Sequence, residues 1–90
     1  MYKIDFTPQA FADIETLSKT DLSAYKKLLR LLSELAEHPT TGAGRPKPLR
    51  EDKRGAWSRR ITQKHRLVYE IHGEKVLVLV LSAYGHYGDK

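Results

Sequence analysis

WSRRITQKHRLVYEI, residues 57–71, alternates its side chains on either side of one short polar break. Trp57, Arg59 and Ile61 alternate with Ser58 and Arg60; beyond TQKH (62–65), Leu67, Tyr69 and Ile71 alternate with Arg66, Val68 and Glu70. Alternation of period two on both sides of a short polar break predicts two strands, 57–61 and 66–71, joined by a turn. HGE makes a second turn, and KVLVLVLS (75–82), nearly continuously apolar, reads as a third and central strand. The same alternation cannot put Arg59, Arg60 and Arg66 on one face. One of Arg59 and Arg60 is therefore expected to serve function, and the other to have a structural or surface role.

Working outward, YKIDF (2–6) predicts a short strand with Tyr2, Ile4 and Phe6 on one face. Thr7 is the expected N-cap of a first helix, with Pro8 at the first helical position, where its missing N–H costs nothing. Ala10, Phe11, Ile14 and Leu17 recur at helical spacing. After a break at SKTD, Thr20 is the expected second N-cap. Leu22, Tyr25, Leu28, Leu29, Leu32, Leu35 and Ala36 then form an apolar stripe that ends near His38-Pro39. The two helices read as an αα-hairpin. Residues 40–56 are rich in Gly, Pro and charge and read as a loop. The expected chain order is β-α-α-β-β-β. That is an α+β fold, two N-terminal helices packed on one face of a small, mainly antiparallel sheet, in a single domain spanning 1–90.

Composition narrows the class. The chain has no cysteine, which excludes disulfides and thiolate zinc sites and fits a reducing compartment. MYKIDFTPQAF holds no apolar run of signal-peptide type, and no stretch approaches the roughly 20 apolar residues of a membrane span. A soluble, cytoplasmic protein with no membrane partner is expected. The charge is concentrated: residues 45–66 hold nine Lys or Arg against two acids, a balance of +7, whereas the whole chain is +5. A basic sector on a nearly neutral body is the footprint of a polyanion partner.

The tail SAYGHYGDK (82–90) adds chemistry, with Tyr84, His86 and Tyr87 following the most apolar strand. Histidine titrates near neutrality and can donate or accept a proton, and arginine holds phosphate oxygens through paired charge-assisted bonds. The combination suits RNA cleavage through attack by RNA's own 2′-hydroxyl. That reaction needs a base, an acid for the leaving oxygen, and cations for the charge on phosphorus. His38 reads as a neighbour of a helix C-cap and His72 as a turn residue; His65 sits at a turn, beside the Arg66 it would orient. No histidine and carboxylate set has metal-ligand spacing, so a mechanism without metal or cofactor is expected.

Taken as a set, GAGRPKPLR (42–50), WSRRITQKHRLVYEI (57–71) and VLSAYGHY (80–87) resemble the Txe/YoeB family, toxins of toxin–antitoxin pairs within the RelE-like group. The resemblance runs through nearly the whole chain. It implies a microbial RNase-like fold and cleavage of messenger RNA in the A site of the 70S ribosome. It also implies inhibition by a cognate antitoxin, and operator DNA bound indirectly, through the antitoxin complex. By the same resemblance Arg66 is the phosphate-contacting arginine, His86 the general acid and Tyr87 the terminal catalytic tyrosine. Arg60 and Arg50 are parts of the active-site surface, and Arg59 and Arg45 complete the expected RNA-contacting set.

One departure bears on activity. The family pattern is K-P-E-P-L-K, whose glutamate is the proposed general base; this sequence reads R-P-K-P-L-R, with Lys47 in that position. An ammonium is no proton acceptor near neutral pH unless it becomes far more acidic than an ordinary lysine. Three readings stand open. The protein is a weak or inactive relative, acting as an antitoxin-binding or co-repressor module. Alternatively, the site is dominated by basic residues and Lys47 stabilises the pentavalent phosphate. In the third, Glu51 reaches in from the same loop. A gyrase-directed toxin of the ParE-like group shares the size and plan but fits the WSRR…HRLVY block and the His-Tyr end poorly.

Overall fold

The computed structural model describes residues 1–49 and 56–85, and contains β1 (Lys3–Phe6), α1 (Pro8–Thr20), α2 (Leu22–Glu37), β2 (Lys47–Pro48), β3 (Ala56–Arg60), β4 (Arg66–His72), a 3₁₀ turn (Gly73–Lys75) and β5 (Leu77–Ser82). The strands form one sheet in the order β1-β5-β4-β3-β2. β1 pairs parallel with β5 and every other pairing is antiparallel. The expected α+β plan, two helices against a mainly antiparallel sheet, is the one observed.

Each helix begins where local chemistry permits. Thr7 caps α1: its side chain accepts from the Ala10 N–H at 3.1 Å while its hydroxyl donates to the Leu81 carbonyl at 2.8 Å, tying the helix start to β5. The second cap is Asp21 and not Thr20, which ends α1 and donates its hydroxyl to the Thr16 carbonyl. Asp21 serves both helices. Its N–H donates to Leu17 O at 2.9 Å, and its carboxylate accepts from the Ala24 N–H at 3.1 Å. An aspartate is among the strongest N-caps, so one residue suffices to turn the corner.

Three differences from the sequence reading lie in the second half. Lys47–Pro48 form a two-residue edge strand inside what was expected to be loop, and an edge is where proline is tolerated in a sheet. β5 starts at Leu77, two residues later than expected, because Gly73–Lys75 form a 3₁₀ turn and Val76 adopts a left-handed conformation (φ 52°). The strand at the middle of the sheet is β4; β5 lies between it and β1.

The core joins one helical stripe to one sheet face: Ala10 and Leu17 of α1, Ala24, Leu28, Leu31 and Leu35 of α2, and Ile61, Leu67, Tyr69, Val78, Val80 and Ala83. Phe11, expected on the buried stripe of α1, is 61% exposed and meets Phe6 at a ring-centroid distance of 5.2 Å, and Leu22 and Leu29, expected on that of α2, are also exposed.

Arg59 sits in this interior, fully buried. Its Nε donates to the Tyr69 hydroxyl at 3.1 Å. Nη1 donates to Glu34 Oε1 at 3.0 Å and to Ala43 O at 3.2 Å, and Nη2 to the carbonyls of His38 and of Thr41, the latter at 2.6 Å. The Tyr69 hydroxyl donates in turn to Pro39 O at 2.7 Å. All five guanidinium N–H groups thus have an acceptor within the protein, and the carbonyls that follow α2 gain donors. Burial pushes the Tyr69 phenol up in pKa, against a smaller opposing effect of Arg59. Glu34 completes the cluster, accepting from the Ala43 N–H at 2.9 Å. That backbone bond, with Arg59 beside it, holds its carboxyl below the usual glutamate range despite an opposing contribution from desolvation.

Glycine is required in this loop. Gly42 (φ +112°) and Gly44 (φ +83°) take conformations that favour glycine. A Cβ on Gly42 would collide with the Glu34 carboxylate, and one on Gly44 would stand 2.9 Å from the Arg60 carbonyl.

Two outcomes are expected. Arg59→Met, which strips the charge from Glu34 and the donors from buried carbonyls, should cost about 3–5 kcal/mol in urea unfolding. Arg59→Lys should recover little of that, because a point charge cannot replace a planar fork. The folded Glu34 carboxyl is depressed, so its contribution is present above the unfolded glutamate pKa and is lost as pH falls through the folded one. Thermal melts should therefore weaken on acidification below about pH 4.5. Glu34→Gln should flatten that limb, and an unchanged acid slope would show that Glu34 does not carry it.

Candidate functional site

The face of the sheet turned away from the helices brings together several of the expected site residues. Leu67 and Tyr69 point to the core, so Arg66 and Val68 project from the opposite face, together with Ser58 and Arg60 of β3. The register assembles two rows. In the first, Lys47, Ser58, Val68 and Ser82 lie side by side across β2, β3, β4 and β5. In the second, Arg60 lies directly opposite Arg66. A β-bulge at Val68/Tyr69 shifts the register of β5 and brings Ser82 into the first row.

Directly opposed side chains on one face lie with Cβ atoms about 4.5–5.5 Å apart, and like charges in that relation repel. Arg60 and Arg66 are both half-buried, so water screens the repulsion less than it would on an open surface. Among the described residues, the buried side-chain atoms without a hydrogen-bond partner are Ser58 Oγ and Arg60 Nε. Buried donors in folded proteins are nearly always paired. Two guanidinium groups, one with an unpaired Nε, share this face with an ammonium and a hydroxyl, an arrangement that can receive an anion.

The tail joins the site through the backbone. The Arg66 N–H donates to Gly85 O at 2.9 Å, and the Gly85 N–H donates to Nδ1 of His65 at 2.9 Å. His86 is one peptide bond beyond that anchored carbonyl. The expected site residues thus divide. Lys47, Arg60 and Arg66 share a face. Arg59 does not join them: it is a correction to the expected RNA-contacting set, because its buried donors are all committed to the protein and none is left for a phosphate. Arg45 is exposed, in a left-handed conformation at the entry to β2. Arg50, His86, Tyr87 and the alternative base Glu51 lie outside the described residues.

Ser58 was not expected at the site, and His65 was expected only as a turn residue that orients Arg66. Ser58 was legible only as a residue on the same strand face as Arg60; its value comes from pairing with Lys47, which the unforeseen β2 creates. His65 is buried, at 6% exposure, and grips the tail as well as standing beside Arg66. His72 ends β4, with Nε2 3.0 Å from Glu70 Oε1, and takes no part.

A family model described as YoeB-like toxin of bacterial type II toxin–antitoxin system matches residues 6–87. The chain belongs to the YoeB family. It is 39% identical over 85 residues to the toxin YoeB of Streptomyces coelicolor, covering 94% of this chain and 99% of that one. The YoeB/ParE toxin from Agrobacterium tumefaciens superposes with a TM-score of 0.87 at 35% identity, covering 94% of this chain and 99% of the other. A heterotetrameric YoeB–YefM toxin–antitoxin complex from Staphylococcus aureus gives 0.81 at 33% identity, with 97% and 99% covered. The RelE-like fold expected from the motifs is therefore the fold this YoeB-family chain adopts. Among the described residues no helix is long and apolar enough to cross a membrane.

The opposed arginines give a test in the protein alone. Arg60→Met removes one like charge and the unpaired Nε, so it should raise the melting temperature in low salt, by several degrees for about 0.2–1 kcal/mol. Millimolar sulfate should stabilise the unmodified protein more than the variant. A less stable variant with an equal sulfate response would remove the anion cradle.

Proposed function

We propose that this YoeB-family protein is the toxin of a type II toxin–antitoxin pair and a ribosome-dependent endoribonuclease, cutting messenger RNA in the ribosomal A site. The observation that carries the reading is the direct opposition of Arg60 and Arg66 across β3 and β4, beside Lys47 and Ser58, with the tail anchored to the Arg66 backbone. This is a rigid phosphate cradle built on strands, next to the point where a histidine and a tyrosine enter the chain.

In the proposed reaction the 2′-hydroxyl oxygen attacks the adjacent phosphorus. It forms the new P–O bond of a 2′,3′-cyclic phosphate as the P–O5′ bond breaks. His86 gives its proton to the departing 5′-oxygen, and Tyr87 lines the same end of the site. Arg66 and Arg60 bind the non-bridging oxygens, where charge grows as phosphorus becomes pentavalent. Lys47 adds a third cation, next to Ser58. No metal enters this scheme. The proton of the 2′-hydroxyl goes to a group other than the Lys47 ammonium, supplied by the ribosomal complex or by the chain. Loss of a positioned base forfeits about 10²–10⁴-fold, and added positive charge recovers part of that.

The cognate antitoxin is the expected protein partner, as the YoeB–YefM complex of the S. aureus relative illustrates. An acidic, disordered segment that folds on binding would complement the basic face. Operator DNA would be reached through that complex. The second reading, an inactive antitoxin-binding and co-repressor module, is favoured by one observation: a lysine occupies the edge-strand position where the motif has its carboxylate.

Primer extension on messenger RNA with purified 70S ribosomes separates the two. Discrete A-site cuts by the unmodified protein, absent with His86→Gln, are expected. No cuts by the unmodified protein but strong cutting by Lys47→Glu would establish the disarmed module instead.

A further inference from the structure

We propose that His65 is a positioning residue, whose imidazole fixes the backbone from which the His86–Tyr87 pair departs. The proposal rests on the endoribonuclease reading above for its effect on rate, but its structural content stands on the geometry around Gly85.

Consecutive residues hold the two sides of Gly85. Nδ1 of His65 accepts from its N–H at 2.9 Å, and the Arg66 N–H donates to its carbonyl at 2.9 Å. Gly85 turns with φ +77°, and a Cβ there would meet nothing within 4 Å. Glycine is therefore needed at this position for its backbone conformation and not for space. Two residues earlier, the Ala83 N–H donates to Asp13 Oδ2 at 2.9 Å, a buried carboxylate of α1 whose other oxygen accepts from Gln9 at 2.7 Å. Beyond β5, the tail is thus taken up by side chains of α1 and of the β3–β4 turn.

His65 is built to be rigid. Its ring lies against that of Tyr84 at a centroid distance of 4.5 Å, its N–H donates to Thr62 Oγ1 at 3.2 Å, and its carbonyl accepts from Ile61 and Thr62 N–H groups at 3.0 and 3.2 Å. Accepting at Nδ1 requires a free lone pair there, so the bond depends on that nitrogen and not on the bulk of the ring. A ring that only filled space would not need that atom. Misplacing a catalytic group by about 1 Å can cost 10²-fold in rate, so the acceptor at residue 65 controls where the acid starts without touching RNA.

The test compares His65→Leu, which keeps bulk and loses the acceptor, with His65→Asn, whose Oδ1 can stand near the place of Nδ1. Two readouts are used: amide hydrogen exchange at Gly85 in the free protein, and single-turnover cleavage against ribosome concentration. His65→Leu should lose Gly85 protection by tenfold or more while Ala83, held by Asp13, stays protected. Its maximal cleavage rate should fall about 10²-fold with little change in the ribosome concentration for half-maximal rate. His65→Asn should restore both. Gly85 protection and cleavage unchanged in His65→Leu would overturn the proposal, as would a His65→Asn that regains protection and remains as slow as His65→Leu. If the unmodified protein cuts nothing, the endoribonuclease reading falls. Gly85 exchange then decides alone whether His65 holds the tail.

Discussion

The buried guanidinium of Arg59 is the contact on which the rest of the arrangement depends. It reaches from β3 across the core to the carbonyls of His38, Thr41 and Ala43, and to Glu34 on α2. α2 ends there, and a glycine-rich loop follows with few apolar side chains of its own. Without a central donor the segment would have little reason to hold one path. With it, the loop passes close enough to β3 for Gly44 O to accept from the Arg60 N–H at 2.6 Å, and Lys47–Pro48 then fall into register beside Ser58 and Trp57. A charge in the core thus sets the position of a charge at the site. The penalty of burying it is offset by full satisfaction of its donors and by a partner carboxylate.

Neighbouring arginines with opposite duties follow from the two-residue period of a strand. Arg59 faces inward and is exhausted as a donor; Arg60 faces outward and keeps an unpaired Nε. The outer face tolerates a repulsive Arg60–Arg66 pairing because the inner face is packed with leucine, valine and tyrosine. Packing is thereby confined to one side of the sheet, and like charges face one another on the other, where an anion can relieve them.

Much of this was legible in the sequence. The Thr7-Pro8 helix start and the alternation in 57–71 are local signals, and the structure keeps them; of the α2 stripe it buries Leu28 and Leu35, leaves Leu22 and Leu29 exposed, and adds Ala24 and Leu31 to the core. The split between Arg59 and Arg60 was visible as a consequence of alternation, but the direction each would serve was not. That depends on Glu34 and on carbonyls some twenty residues away, which no local pattern encodes. The β2 strand was hidden because two residues, one of them proline, carry no period. His65 read as a turn residue beside Arg66, since the tail it grips returns from residue 85 only after β5 has crossed the sheet. Motif resemblance implies roles for His86 and Tyr87, whereas the contacts that anchor Gly85 before them come from residues distant in sequence.

The parallel pairing of β1 with β5 has a consequence for biosynthesis. Among the described residues, β1 sits at the edge of the sheet and pairs with β5, which inserts between it and β4. Pairing strands this far apart in sequence is slow. A nascent polypeptide still lacking residues 77–85 therefore has β1 without that partner, Thr7 without the Leu81 carbonyl, and Arg66 without Gly85. Until the ribosome has delivered those residues, the sheet cannot close around them.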